Sequence, residues 1–206
     1  MPARPGLTAK RWTDVAVSGA ALATLSPLMS VLTGMVLVVH GWPPFFRQDR
    51  PGLHGRVFRI VKLRTMTEAR DAAGRLLPDE DRLTPFGRLL RRTSLDELPE
   101  LWNVLVGDMS LVGPRPLLVR YLDRYSEEQM RRHDMPPGLT GLVQVNGRNG
   151  LGWEEKFDLD LWYVDHWSYG LDLLILARTV TTVLRGSGVS SEGAATMPEF
   201  LGTEVG

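Results

Sequence analysis

Two adjacent carboxylates, Asp96 and Glu97, stand in the stretch 93–101, at the start of a predicted helix. Ser94 followed three residues later by Glu97 matches a capping box, in which the acids would serve only the helix end. Alternatively, the free backbone donors of a helix N-terminus attract anions, and a carboxylate kept ionised there can attack phosphorus. Pro99 weakens the capping explanation, because in a helix capped by Ser94 it falls past the four free donors.

Arginines flank this pair of acids on both sides. Arg91 and Arg92 come just before the acids, and Arg115 lies between two prolines that stiffen its backbone. The guanidinium fork matches phosphate oxygens, so these residues are candidate phosphate ligands. A turn with a solvated arginine would explain Arg115 equally well, so no single motif here identifies a reaction.

Further charged residues are weaker candidates. Lys62 and Arg64 alternate with apolar residues, which predicts that they share one side of a strand, as substrate ligands or as solvated charges. Arg148 stands in an Asn-Gly turn, which needs no ligand to explain it. Asp158 and Asp160 are interpreted as a solvated helix face. Together these residues are consistent with a site for anions and a divalent cation.

The metal ligands and catalytic motifs that the sequence contains or lacks restrict the reactions it can catalyse. Mg²⁺ prefers one or two carboxylates plus substrate phosphates, which Asp96 and Glu97 can provide. The sequence has no P-loop and no cysteine, and its four histidines lack metal-ligand spacing. Lys plus Arg and Asp plus Glu are equal at 24 each, so we expect no nucleic-acid partner.

A long uncharged segment, residues 15–39, indicates a membrane anchor. As a straight helix its 25 residues would extend about 37 Å, enough to span a bilayer. Ser26-Pro27 divides it into halves of about 18 Å, and basic residues flank both ends. A spanning helix and a re-entrant helix that turns at Ser26-Pro27 both remain open, and the two basic flanks favour the re-entrant one.

The remaining pattern predicts an α+β fold, mostly helical and membrane-associated, with a small sheet. The predicted domains are a membrane helix at 1–44, a catalytic domain with interfacial helices at 45–185 and a flexible tail at 186–206. Extended segments are predicted at 45–48, 57–63 and 142–145, and helices at 85–92, 95–106, 116–133, 153–167 and 171–184. The helix at 85–92 fits either an anionic membrane surface or a core.

The chain resembles the bacterial sugar transferase family, the monotopic polyprenyl-phosphate phosphoglycosyl transferases, over residues 10–184. The matching blocks are KRWTD (10–14), FRQDRPGLHG (46–55), FRIVKLRTM (58–66), SLDELPELWNVLVGDMSLVGPRP (94–116), PPGLTGLVQVNGRN (136–149) and DLWYV (160–164). Their order and length make the resemblance specific, and the chain length is similar to that of the small members.

The resemblance implies transfer of a phospho-sugar from a UDP-sugar to a polyprenyl phosphate, with Mg²⁺, in two ping-pong steps. Asp96 would be the nucleophile that forms a covalent phosphosugar intermediate, and Glu97 its partner at the metal. Arg115 and Arg91 would bind phosphate, and Ser26-Pro27 would turn a re-entrant helix.

The implied location is the cytoplasmic face of a bacterial plasma membrane, with a monotopic anchor and contact with membrane lipid. Downstream glycosyltransferases are possible partners, and the sugar and the oligomeric state stay open. Two other functions remain as alternatives, a non-catalytic membrane scaffold and a lipid-linked sugar diphosphatase.

Overall fold

The computed structural model describes residues 6–147, 150–185 and 199–202, and it confirms the α+β class. The α-helices are α1 (Leu7–His40), α2 (Asp79–Arg82), α3 (Pro85–Thr93), α4 (Glu100–Val106), α5 (Glu127–Met130), α6 (Leu142–Asn146), α7 (Trp153–His166) and α8 (Tyr169–Arg185). The strands are β1 (Phe45–Pro51), β2 (Val57–Leu63), β3 (Ser110–Val112) and β4 (Gly138–Thr140). Arg148 and most of the predicted tail lie outside these ranges.

Helix α1 continues through Pro27 as one helix of 34 residues, so the predicted break does not interrupt the helical structure. Proline has no N–H to donate to the carbonyl oxygen four residues earlier, that of Ala23. The Ser26 hydroxyl donates to this oxygen instead, at 2.8 Å. The serine therefore replaces the missing hydrogen bond. Whether the helix turns back inside a membrane stays a prediction.

Both ends of α1 pack against the same domain. Near its start, Lys10 forms a buried ion pair with Asp172 of α8, with 2.6 Å between Nζ and Oδ2. Near its end, Leu32 and Val36 are buried in a cluster with residues of β2 and α3. Residues 26–28 at the middle of the helix are exposed. Among the described residues, α1 is the one helix long and apolar enough to cross a membrane.

The start of α1 is partly buried rather than fully solvated. Lys10 is 4% exposed, whereas Trp12 is 71% exposed. Arg11 donates to the carbonyl oxygens of Val104 and Leu105, at 2.5 and 2.7 Å, near the C-terminal end of α4. Such carbonyls lack partners within the helix, so a cation satisfies them.

Two small sheets flank the core. Strands β1 and β2 form an antiparallel hairpin in which Phe45 is opposite Leu63. Strands β3 and β4 pair in parallel, with Ser110 opposite Gly138. The main apolar cluster brings together α4, β3 and the last two helices, and the hairpin lies against it through Ile60. The hairpin and α4 thereby become rigid supports for polar side chains.

Two predicted elements are wrong. The helix expected at 116–133 is a 3₁₀ segment, Val119–Arg124, followed by a new start at Ser126, whose side chain and Gln129 form a capping box. The strand expected at 142–145 is helix α6. A short segment with three apolar residues in four does not distinguish strand from helix. The preceding Gly141 packs too closely on the Gly113 carbonyl oxygen to carry a side chain.

Candidate active site

Asp96 and Glu97 lie in a 3₁₀ turn, Leu95–Glu97, between α3 and α4. Ser94 adopts a left-handed conformation (φ 56°) at the C-terminal end of α3 and caps no helix with its side chain. Helix α4 begins only at Glu100, directly after Pro99. The capping box is therefore not formed, and the acids need another explanation.

Glu97 is held by two cations. Lys62 Nζ lies 2.7 Å and an Arg115 terminal nitrogen 2.6 Å from the same oxygen, Oε1. Burial opposes ionisation, but the charges of Arg115 and Lys62 outweigh it and hold the pKa of Glu97 far below its usual range. Glu97 is consequently a fixed anion whose second oxygen is not used by these cations.

A third acid, Glu100, shares Lys62 with Glu97. Its Oε1 lies 2.9 Å from Lys62 Nζ, and its side chain is 3% exposed. Burial raises the pKa of Glu100 to about 7, although the charge of Lys62 opposes this shift. Burial also acts to lower the pKa of Lys62, but the charges of Glu100 and Glu97 outweigh it and raise that pKa. Lys62 thus remains a cation.

Asp96 has a different environment from its neighbour. It is 8% exposed, and it forms no hydrogen bond or ion pair with the part of the chain that the structure describes. Burial, followed by the charge of Glu97, raises the pKa of Asp96. The expectation that Asp96 lies at the N-terminus of an α-helix is wrong, because α4 starts four residues later. Asp96 is a buried carboxyl whose side chain has no direct hydrogen bond or ion pair in the described chain, although nearby cations act on it.

Arg91 of α3 supplies positive charge on the other side of the acids. Its Nε donates to the Thr65 hydroxyl at 3.0 Å, which fixes the side chain. Burial lowers the pKa of Arg91, and the charge of Asp96 opposes this shift. The neighbouring Arg92 is exposed. The charges of Lys62, Arg91 and Arg115 all act on Asp96, against the charge of Glu97. Their cationic groups are candidate ligands for a phosphate.

The backbone of Arg115 is held by a buried ion pair that sequence reasoning missed. Arg132 donates to the carbonyl oxygen of Arg115 at 2.7 Å and to Asp160 Oδ2 at 2.6 and 3.1 Å. The prediction of a solvated Asp160 is wrong, whereas Asp158 is exposed. The available signal was its spacing from Phe157, which puts Asp160 on the apolar face of α7.

The structure does not bring every predicted ligand to the acids. Lys62 contacts Glu97, but Arg64 lies beyond the end of β2 and donates to the carbonyl oxygens of Gly41 and Trp42. The two residues therefore do not share partners. Arg148 lies outside the described residues, and its role stays a prediction.

The acids fit a magnesium ion only as part of a substrate complex. The described residues contain no group of three or more histidine, cysteine or acidic residues arranged to hold a metal. Asp96 has no protein partner among them, and Glu97 has one oxygen outside its ion pairs. Mg²⁺ is commonly held by one or two carboxylates plus substrate phosphates, so this pair suits it when a diphosphate supplies the other ligands.

Comparison with known proteins adds to this geometry. The chain is 52% identical over 194 residues to the uncharacterized sugar transferase EpsL of Bacillus subtilis, covering 94% of this chain and 96% of that protein. It is 39% identical over 196 residues to the undecaprenyl-phosphate galactose phosphotransferase of Salmonella typhimurium, covering 87% and 41%. It is 40% identical over 181 residues to the UDP-glucose:undecaprenyl-phosphate glucose-1-phosphate transferase of Klebsiella pneumoniae, covering 83% and 39%.

The chain thus spans nearly all of EpsL but only about two fifths of the Salmonella and Klebsiella relatives. A family model described as bacterial sugar transferase matches residues 6–186, which include α1, the acids and the arginines around them. This match covers most of the chain. The chain belongs to the bacterial sugar transferase family.

Proposed function

We propose that this protein transfers a phospho-sugar from a UDP-sugar to undecaprenyl phosphate, with release of UMP. Two relatives are named for undecaprenyl-phosphate sugar-phosphate transfer. The observation that carries the proposal is the buried Asp96, which has no direct hydrogen bond or ion pair in the described chain and on which the charges of Lys62, Arg91 and Arg115 act. A carboxylate in such a field is placed to attack a phosphate that the same cations bind.

The reaction proceeds in two displacements at one phosphorus atom. An Asp96 oxygen forms a bond to the phosphorus that carries the sugar, and the bond from that phosphorus to the bridging oxygen breaks. UMP leaves with the bonding electrons. An oxygen of the lipid phosphate then attacks the same phosphorus and releases Asp96, which yields the lipid diphosphate sugar.

The surrounding residues allow an anion to attack an anion. Arg115 and Lys62 are held in place by Glu97, so their charges are already oriented before substrate arrives. Arg91 and Arg115 are the candidate ligands for the diphosphate oxygens. The charges of Lys62, Arg91 and Arg115 oppose the rise in the pKa of Asp96 and so favour its ionised, nucleophilic form.

We propose that magnesium is a cofactor that binds together with the UDP-sugar. Asp96 and Glu97 would hold it together with the diphosphate, and it would neutralise charge on the transferred phosphate. Phosphoryl transfer depends mainly on such positioning and neutralisation. We therefore expect activity to need a divalent cation.

The proposed location is the cytoplasmic face of the bacterial plasma membrane. The contacts of α1 support a re-entrant helix, because Lys10 at its start and Val36 near its end both pack on one domain. A helix that crossed the bilayer would carry its first turns away from that domain.

This topology can be tested with a single cysteine, since the chain has none of its own. Trp12→Cys at the exposed start of α1 and Glu127→Cys in the catalytic domain are compared in intact and permeabilised cells. Both should react with a membrane-impermeant maleimide only after permeabilisation. Labelling of Trp12→Cys in intact cells would instead mean a spanning helix.

The activity itself is tested by UMP release from a panel of UDP-sugars, with purified protein, Mg²⁺ and undecaprenyl phosphate. We expect turnover with at least one sugar, dependence on the lipid, and a lipid diphosphate sugar as product. Continued turnover without the lipid would indicate hydrolysis rather than transfer. An absence of turnover with every donor would favour a membrane scaffold.

A further inference from the structure

A cleft of about 340 Å³ lies where α1 ends and the β1–β2 hairpin begins. It is lined by residues 42–47 together with Arg64 and Glu68, and we call it the Trp42 cleft. None of the hydrogen bonds and ion pairs described around Asp96 and Glu97 involves a residue that lines this cleft.

The walls of the Trp42 cleft are aromatic and continue an apolar helix surface. Trp42 is 83% exposed and Phe46 is 44% exposed. Val38, in the last turns of α1, is 87% exposed. Large apolar side chains exposed together mark a surface that binds something apolar. Because they follow the helix that is apolar enough for a membrane, the apolar chain of a lipid is the matching ligand.

The Trp42 cleft also contains fixed positive charge. Arg64 is 9% exposed, and it is held by hydrogen bonds to the carbonyl oxygens of Gly41 at 3.0 Å and Trp42 at 3.4 Å. Its Nε is buried with no hydrogen-bond partner in the described chain. Arg47 adds a second guanidinium, and Glu68 is the one carboxylate in the lining. With two guanidinium groups and one carboxylate, the lining favours an anionic headgroup.

The Trp42 cleft adjoins the acid pair through the hairpin. Phe46 of β1 is directly opposite Lys62 of β2. Residues paired in this way point to the same face of the sheet, with Cβ atoms about 5 Å apart. Lys62 in turn binds Glu97 at 2.7 Å. A ligand on Phe46 therefore lies one side chain away from the proposed catalytic site.

We propose that the Trp42 cleft binds the isoprenyl phosphate acceptor, with its first isoprene units against Trp42 and Phe46 and its phosphate at the buried guanidinium of Arg64. This inference rests on the proposed function and adds the place where the lipid enters. A nucleotide fits less well, because a uracil ring needs hydrogen-bond partners and the lining is mainly proline and aromatic.

The first test measures the KM for each of the two substrates by steady-state kinetics. Trp42→Ala should raise the KM for undecaprenyl phosphate by about tenfold, the effect of losing roughly half of an aromatic burial. The KM for the UDP-sugar should stay within twofold. Trp162→Ala is the matched control, since it removes another exposed tryptophan outside the cleft. A rise in donor KM alone would identify a nucleotide site and overturn the inference, as would unchanged values for both substrates.

The second test needs no turnover. A photoreactive farnesyl phosphate should crosslink to residues 42–47, and competition by undecaprenyl phosphate should exceed competition by undecaprenol. Arg64→Gln should remove that preference for the phosphate, and Arg47→Gln, on the opposite face of β1 from Phe46, should keep it. Crosslinking elsewhere would overturn the inference even if transfer is shown. Crosslinking at 42–47 in a protein without transferase activity would instead leave a lipid phosphate site and contradict the proposed function.

Discussion

Lys62 and Glu100 form a buried ion pair, with 2.9 Å between Nζ and Oε1, and the same ammonium binds Glu97 at 2.7 Å. Two carboxylates therefore share one cation at the base of the proposed site. Glu97 takes a second cation, Arg115, whereas Glu100 forms its ion pair with Lys62 alone in the described chain. The difference explains why the pKa of Glu97 is lowered and that of Glu100 is raised to about 7.

Glu100 should make stability depend on pH. Its folded-state pKa of about 7 exceeds its ordinary value of 4.5, so between these values the folded state keeps a proton that the unfolded state has released. Stability is then lost as pH rises through this window, by about 3 kcal/mol at about 1.4 kcal/mol per pH unit. Glu100→Gln should remove this loss, measured as melting temperature from pH 5 to pH 8 with a chelator present.

Glu80→Gln is the matched control, because it removes an exposed carboxyl and should keep the pH dependence of the wild-type protein. If Glu100→Gln loses stability with rising pH as steeply as the wild-type protein, Glu100 is not the group responsible.

The buried pair between Arg132 and Asp160 should contribute strongly to stability. Asp160→Asn leaves the Arg132 charge buried and unbalanced, which typically costs about 3–5 kcal/mol. The exposed pair between Arg131 and Asp165 provides the control, and Asp165→Asn should cost less than about 1 kcal/mol. Chemical denaturation in detergent measures both. Equal losses for the two variants would show that burial does not decide the effect.

Arg115 should depend on its guanidinium fork and not only on its charge. Arg115→Lys keeps the positive charge but loses the fork between Glu97 and a phosphate, so kcat/KM for UMP release should fall about 10²–10³-fold. The melting temperature should change little, because the Arg115 side chain is 40% exposed. Arg120→Lys, at a more exposed arginine paired with Glu199, should retain activity. Full activity in Arg115→Lys would argue against phosphate binding by this residue.

Gly87 should be required for the position of Arg91. A Cβ at Gly87 would lie 1.9 Å from the carbonyl oxygen of Thr65, whose hydroxyl holds Arg91. Gly87→Ala should therefore shift α3 away from β2 and lower both the melting temperature and the transferase activity. Gly170→Ala, where a Cβ meets nothing within 4 Å, should not lower the melting temperature. A stable and active Gly87→Ala protein would contradict this close packing.

Local signals in the sequence predicted the elements that depend on neighbouring residues. The helix predicted at 85–92 is α3, Pro85–Thr93, and at its start the Thr84 hydroxyl accepts from the Gly87 N–H. The carbonyl oxygen of Ala23, freed by Pro27, is satisfied by Ser26, the residue beside the proline. In each case the residues that decide the structure lie within four positions of one another.

Long-range partners explain most of what the sequence did not reveal. Glu100 and Asp160 were missed because their cations, Lys62 and Arg132, lie 38 and 28 positions away. The capping box at Ser94 failed because Glu97 instead binds Lys62 and Arg115, which no local pattern encodes.

The most direct test of the central claim is transfer of label from a UDP-sugar carrying ³²P at the β-phosphate. With no lipid present, the wild-type protein should become labelled and release UMP, and undecaprenyl phosphate should then remove the label. Asp165→Asn, at an exposed acid, should behave in the same way. Asp96→Asn should take up no label, and an Asp96→Asn protein labelled as fully as the wild type would contradict the assignment of Asp96 as nucleophile.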